Sequence, residues 1–172
     1  RLAKEGEKLV TLDGVERKLN PQDLMITNGK TNLCIAGVFG GKESGVNENT
    51  TSIFLEAAYF NPVSIRKTAK RHALNTDASF RFERGVDPNM VEFAMKRAAA
   101  LITEVAGGKI VYEADPFIGK KILPAEVIFD FDRCNQLIGK EIEREKIMTI
   151  LLALDFKIVH RNDNILKLEV PT

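Results

Sequence analysis

The chain is poor in the residues that usually announce a special site. It carries two cysteines and two histidines in 172 residues. Cys34 and Cys134 stand far apart, form no C-x-x-C pair and have no metal-ligand spacing. They read as reduced structural thiols, which fits a reducing cytosol. His72 lies in a basic stretch and His160 in a terminal segment; with no third ligand in view, no metal site is expected. Neither sign of charge dominates. The formal net charge is +1, so no global field drives the chain onto nucleic acid or an anionic membrane, and RNA contact would have to come from a local patch. No stretch approaches the roughly 20 apolar residues of a membrane span. The start, RLAKEGEKL, lacks both an initiator Met and the apolar core of a signal peptide, and reads as cut from a longer protein.

Familiar catalytic signatures are missing too. A P-loop needs G-x-x-x-x-G-K-[ST]; around Gly41-Lys42 the first glycine is replaced by Ala36 and the Ser or Thr by Glu43. There is no G-x-G-x-x-G, and no G-x-S-x-G elbow.

What is present suits one domain with a real core, or one domain plus a small appendage. Asp13-Gly14 between alternating segments predicts a hairpin over 10–19. Short strands are expected at 24–27 and 33–38, then a glycine turn from Gly37 to Gly45 and an apolar, central strand over 53–58. Asn61-Pro62 starts a helix running to about His72. A polar loop, Thr76-Asp77-Ala78-Ser79, leads into RFERG as an ordered turn. Asp87-Pro88 opens a longer helix with Val91, Ala94, Ala98, Leu101, Ile102 and Val105 in an apolar stripe, ended by Gly107-Gly108. A strand at 110–112 and a linker over 115–124 follow. Beyond it, a strand at 126–129, helices at 132–138 and 143–154, and a hairpin of 156–159 with 165–170 make a module of about fifty residues, near the lower size limit for an independent core. The fold class is α+β: a mixed or antiparallel sheet with packed helices at 1–120, then a small α+β, helix-turn-helix-like module at 121–172.

The chemistry concentrates between Gly37 and Asp87. Gly37 and Gly40 serve either a tight turn or a ligand ring laid against bare backbone. Glu56 stands among Ile53, Phe54, Leu55, Ala57 and Ala58. Such an acid is either paired with a nearby Arg or reads a ligand hydroxyl, since an unpaired carboxylate in an apolar setting is unfavourable. Arg66, Lys67, Lys70, Arg71 and His72 form a basic patch, either a solvated helix face or a phosphate contact.

The segments GVFGGKESGVN, FLEAA and FNPVSIRKTAKRHALNTDASFRFERGVDP closely resemble the central editing domain of the beta subunit of bacterial phenylalanyl-tRNA synthetases. The resemblance extends upstream through KEGEKLVTLDG and downstream through the long helix. From about Ala125 the chain is similar to the start of the next small domain, ending at VPT where that pattern continues. The resemblance implies hydrolysis of tyrosine wrongly esterified to tRNA(Phe), because a site that requires the phenol hydroxyl solves what an apolar synthetic pocket cannot. It implies that Glu56 accepts the phenol's hydrogen bond. Gly37 and Gly40 would form the pocket floor, and Thr76 and Ala78 would line the wall near the ester or terminal ribose. Ala78 would matter for being small.

Lys67, Lys70, Arg71 and His72 are the candidate RNA contacts. No residue is implied as a nucleophile; a positioned water would attack the ester. The family's pocket also uses a histidine from an earlier segment, which neither His72 nor His160 matches. The resemblance further implies tRNA(Phe), a tyrosyl ester and an alpha subunit as partners, in a cytoplasmic assembly of two alpha and two beta subunits. ATP and magnesium belong to the parent enzyme, and no cofactor is expected in this segment.

Overall fold

The computed structural model describes residues 1–112, 119 and 122–172. These fall into two units, Arg1–Tyr112 and Glu113–Thr172. The expected linker at 115–124 and the expected boundary at 120/121 lie largely outside the described residues.

The first unit opens with the antiparallel hairpin β1 (Lys8–Val10) and β2 (Glu16–Lys18), whose turn holds Gly14 at φ 78°. Three short strands then form an antiparallel sheet: β3 (Met25–Thr27), β4 (Asn32–Ile35) and β5 (Phe39–Gly40). A turn joins β4 to β5, closed by the Val38 amide donating to the Ile35 carbonyl at 3.0 Å. Gly37 sits third in that turn at φ 64°, a conformation that side chains disfavour.

Helix α1 (Pro62–Arg71) begins as the sequence requires. Asn61 Oδ1 accepts from the Ser64 amide at 3.1 Å, and proline takes the first turn. Its inward face, Ile65, Thr68 and Ala69, joins Ala3, Leu19, Met25, Ile35 and Val38 in the core, with Phe60, Leu74 and Phe82 packed against them. Met25, Ile35 and Ile65 are each nearly fully enclosed, and each such burial is worth about 1.5–3 kcal/mol.

Three expectations change. The polar loop after Thr76 is a helix, α2 (Asp77–Phe82), held by a reciprocal capping box between Thr76 and Ser79. Residues 53–58 adopt no strand, because no described backbone pairs with them, and an apolar run becomes a strand only where a ladder receives it. Residues 110–112 are likewise not a strand. Helix α3 (Val91–Ala106) forms where expected, after a single 3₁₀ turn, yet none of its residues is buried. Its apolar stripe meets solvent: Val105 is 84% exposed.

The second unit contains β6 (Glu126–Asp130), α4 (Phe131–Ile138), α5 (Arg144–Ala153), β7 (Lys157–Arg161) and β8 (Ile165–Glu169). Its sheet is antiparallel, with β8 between β6 and β7. Asp130 caps α4 and Gly139, left-handed at φ 76°, ends it. Phe131, Ile147, Leu151, Leu166 and Leu168 make its core.

Candidate functional site

The glycine turn is built by close approach. The Gly41 amide donates to the Leu33 carbonyl at 2.9 Å, and a Cβ on Gly41 would lie 2.3 Å from that oxygen. No side chain fits there, which explains a glycine that phosphate binding does not. A Cβ on Gly37 would meet Phe60 Cδ2 at 2.8 Å, Ile65 Cδ1 at 3.0 Å and Phe82 Cδ2 at 3.3 Å; one on Gly40 would meet Leu12 Cδ1 at 2.8 Å. On their open sides, then, both glycines are covered by the protein's own apolar groups.

The motif pieces converge around this turn. The Thr76 hydroxyl donates to the Val38 carbonyl at 2.6 Å, spanning 38 residues to fasten the start of α2 onto the turn between Gly37 and Gly40. Thr76 Oγ1 also accepts from the Ser79 amide at 3.0 Å, so one hydroxyl both caps a helix and anchors it. Ala78 is exposed in the first turn of α2. Across the sheet, Gly40 pairs with Cys34.

Glu56 lies close enough to Cys34 that its charge, after burial itself, helps push the thiol's pKa up. The Glu56 carboxyl is in turn raised above the usual carboxylate range by partial desolvation. The residue still keeps a solvent-exposed surface, so this desolvation is that of a half-covered group. No described cation or hydrogen-bond donor pairs with it. Of the two readings of this acid, an internal ion pair with arginine has no counterpart among the described residues.

The basic patch divides. Asp23, fully buried, takes the ends of two of its side chains: His72 Nε2 donates to Asp23 Oδ2 at 2.7 Å, and Arg71 Nη1 pairs with Asp23 Oδ1. The Thr68 hydroxyl donates to the same carboxylate at 3.0 Å and the Asn20 amide at 2.8 Å. The His72 side chain keeps 7% of its surface exposed, and the Arg71 side chain 29%. Burial alone would raise the Asp23 pKa; the Asn20 amide and the His72 ring outweigh it, and the carboxyl is held below its ordinary value. His72 therefore has a structural task, and Arg71 shares it. Lys67 and Lys70 remain on the outer face of α1, unpaired among the described residues. Sequence reading missed the Asp23 hub, although an Asp just before a strand and a Thr-x-x-Arg-His at a helix end were both in view.

Residues 1–107 match the model of the B3/4 domain. The chain belongs to the B3/4 domain family. It is 50% identical over 167 residues to the phenylalanine–tRNA ligase beta subunit of Bacteroides fragilis, a match covering 97% of this chain and 20% of that protein. The corresponding subunit of Porphyromonas gingivalis is 50% identical over 169 residues, again 97% of this chain and 20% of the relative. That of Halalkalibacterium halodurans is 46% identical over 163 residues, 95% and 20%. The chain thus spans about a fifth of the length of these relatives. The whole match to the B3/4 domain falls within the first unit, and includes the glycine turn, Glu56 and the Thr76 anchor.

Proposed function

We propose that this chain is the proofreading segment of a phenylalanine–tRNA ligase beta subunit, and that the parent hydrolyses tyrosine wrongly esterified to tRNA(Phe). One observation carries the reading. Glu56 is a partly desolvated carboxylate with no described partner, beside the Cys34–Gly40 pair of the glycine turn. Such a group gains most from a ligand that brings its own donor, and a phenol hydroxyl does so where a phenyl ring does not.

In this reading Glu56 accepts from the tyrosine hydroxyl, and the Gly37–Gly40 turn forms the floor under the ring through the Phe60, Phe82 and Leu12 side chains that cover its glycines. Thr76 and Ala78 bound the wall that faces the ester. Water attacks the ester carbonyl: its oxygen bonds to the acyl carbon, the bond to the ribose oxygen breaks, and the proton passes to that oxygen. Backbone donors and the neighbouring ribose hydroxyl assist. Glu56 is a specificity residue here. In the parent, aminoacylation of tRNA(Phe) would use ATP and magnesium with an alpha subunit in the cytoplasm. Among the described residues the glycine turn lacks the P-loop pattern, and no cluster of three or more acidic, histidine or cysteine groups is placed to hold a metal ion.

The test is deacylation by the parent enzyme carrying Glu56→Ala, with Tyr-tRNA(Phe) and Phe-tRNA(Phe) as substrates. Loss of a hydrogen bond to a charged group, about 1.5–3 kcal/mol, should reduce preference for the tyrosyl ester by about tenfold to a hundredfold. Unchanged preference would remove Glu56 from the site.

A further inference from the structure

An open cleft of about 430 Å³ lies between α1 and α2, lined by Arg66 and Lys70 on one side, Phe80, Glu83 and Arg84 on the other, and Asn75 between them. It shares no residue with the proposed tyrosine site. Its volume falls in the range of small-ligand clefts, about 300–1,000 Å³.

Its chemistry is specific. Phe80 is 52% exposed, whereas Phe82, two residues on, packs against Phe60 in the core. The Phe80 ring carries the Arg84 guanidinium 3.7 Å from its centroid. Arg84 is itself fixed, donating to the Phe80 carbonyl at 2.7 Å and to Glu83 at 2.8 Å. Across the cleft, Arg66 and Lys70 stand one helical turn apart and have no partner among the described residues. In a chain of net charge +1 this is a local excess of positive charge around an exposed aromatic ring.

We infer that this cleft is a nucleotide subsite for single-stranded RNA, with a base stacked on the Phe80–Arg84 pair and the adjoining phosphates on Arg66 and Lys70. Stacking requires an unpaired base, because a duplex hides base faces inside its helix while still offering phosphates. An acidic peptide would use the cations and leave the ring idle.

The inference shares with the proposed function the presence of RNA, but it is read as affinity for RNA that bears no ester. Failure here therefore leaves the Glu56 selectivity test standing, and failure there leaves this one standing. The full chain is titrated with a short, labelled single-stranded RNA and with a duplex of equal length, across a range of salt. The single strand should bind more tightly. Phe80→Ala should weaken it about tenfold, and Phe80→Trp should retain it. Arg66→Ala with Lys70→Ala should flatten the dependence of log K on log salt by about 1.4, two phosphates at about 0.7 each. Phe80 is exposed, so an unchanged amide spectrum of Phe80→Ala certifies the fold. No binding at low salt, equal binding of the duplex, or indifference to Phe80→Ala would each overturn the assignment.

Discussion

Removing the Asp23 carboxylate tests how the first unit holds its site in place. The group is fully enclosed and receives donors from Asn20, Thr68, Arg71 and His72, so it ties the approach to β3 onto the last turn of α1. Asp23→Ala would leave the Thr68 hydroxyl and the His72 ring enclosed without an acceptor. Breaking a buried charged pair from one side costs about 3–5 kcal/mol. Arg71 keeps 29% of its side chain in solvent and can rehydrate, so the lower end, about 3 kcal/mol, applies. Against a typical total of about 5–15 kcal/mol this is a large loss. With a urea slope of about 2 kcal/mol per molar, the unfolding midpoint should fall by about 1.5 M, followed through amide signals of α1 and β3.

The pH dependence has a definite sign. The folded carboxyl titrates below its unfolded value of about 3.9, so its contribution is complete above about pH 4 and is lost as the pH falls through the folded value. The gap between wild type and Asp23→Ala should therefore narrow in acid. A midpoint shift under about 0.3 M at neutral pH, or a gap that widens in acid, would refute the reasoning.

Two further outcomes follow from the turn and its acid. Gly37→Ala should destabilise by about 2–4 kcal/mol, because φ 64° disfavours a side chain and the new methyl would sit 2.8 Å from Phe60; Gly14→Ala, at φ 78° with nothing within 4 Å, should lose only about 1–2 kcal/mol, and equal losses in thermal unfolding would show that packing plays no part. Glu56→Gln removes the charge that helps raise the Cys34 thiol, so alkylation of Cys34 at mildly alkaline pH should quicken relative to Cys134, and an unchanged or slower rate would place the carboxylate elsewhere.

Local signals survived folding wherever the physics was local. Asn61-Pro62 fixed the start of α1, Asp13-Gly14 the first hairpin and Gly107 the end of α3, because a cap or a positive φ is decided by a residue and its near neighbours. The Thr76–Ser79 box is equally local, but serine stands where glutamate usually does, so its signal in the sequence is weak. Residues 53–58 went the other way: an apolar run broken only by Glu56 describes a segment suited to a buried strand, but a strand needs a partner.

By itself, the sequence determined the family and the roster of candidate groups, since a glycine turn, an acid in an apolar run and a polar helix start follow in fixed order along the chain. Tertiary structure decided which of them meet and which are already occupied. It brought Thr76 onto the Val38 carbonyl and Glu56 beside Cys34, gave His72 and Arg71 to Asp23, and left Arg66 and Lys70 facing Phe80 across a cleft. Hydrogen bonding and desolvation act through space over a few ångströms, and distance along the chain does not record them.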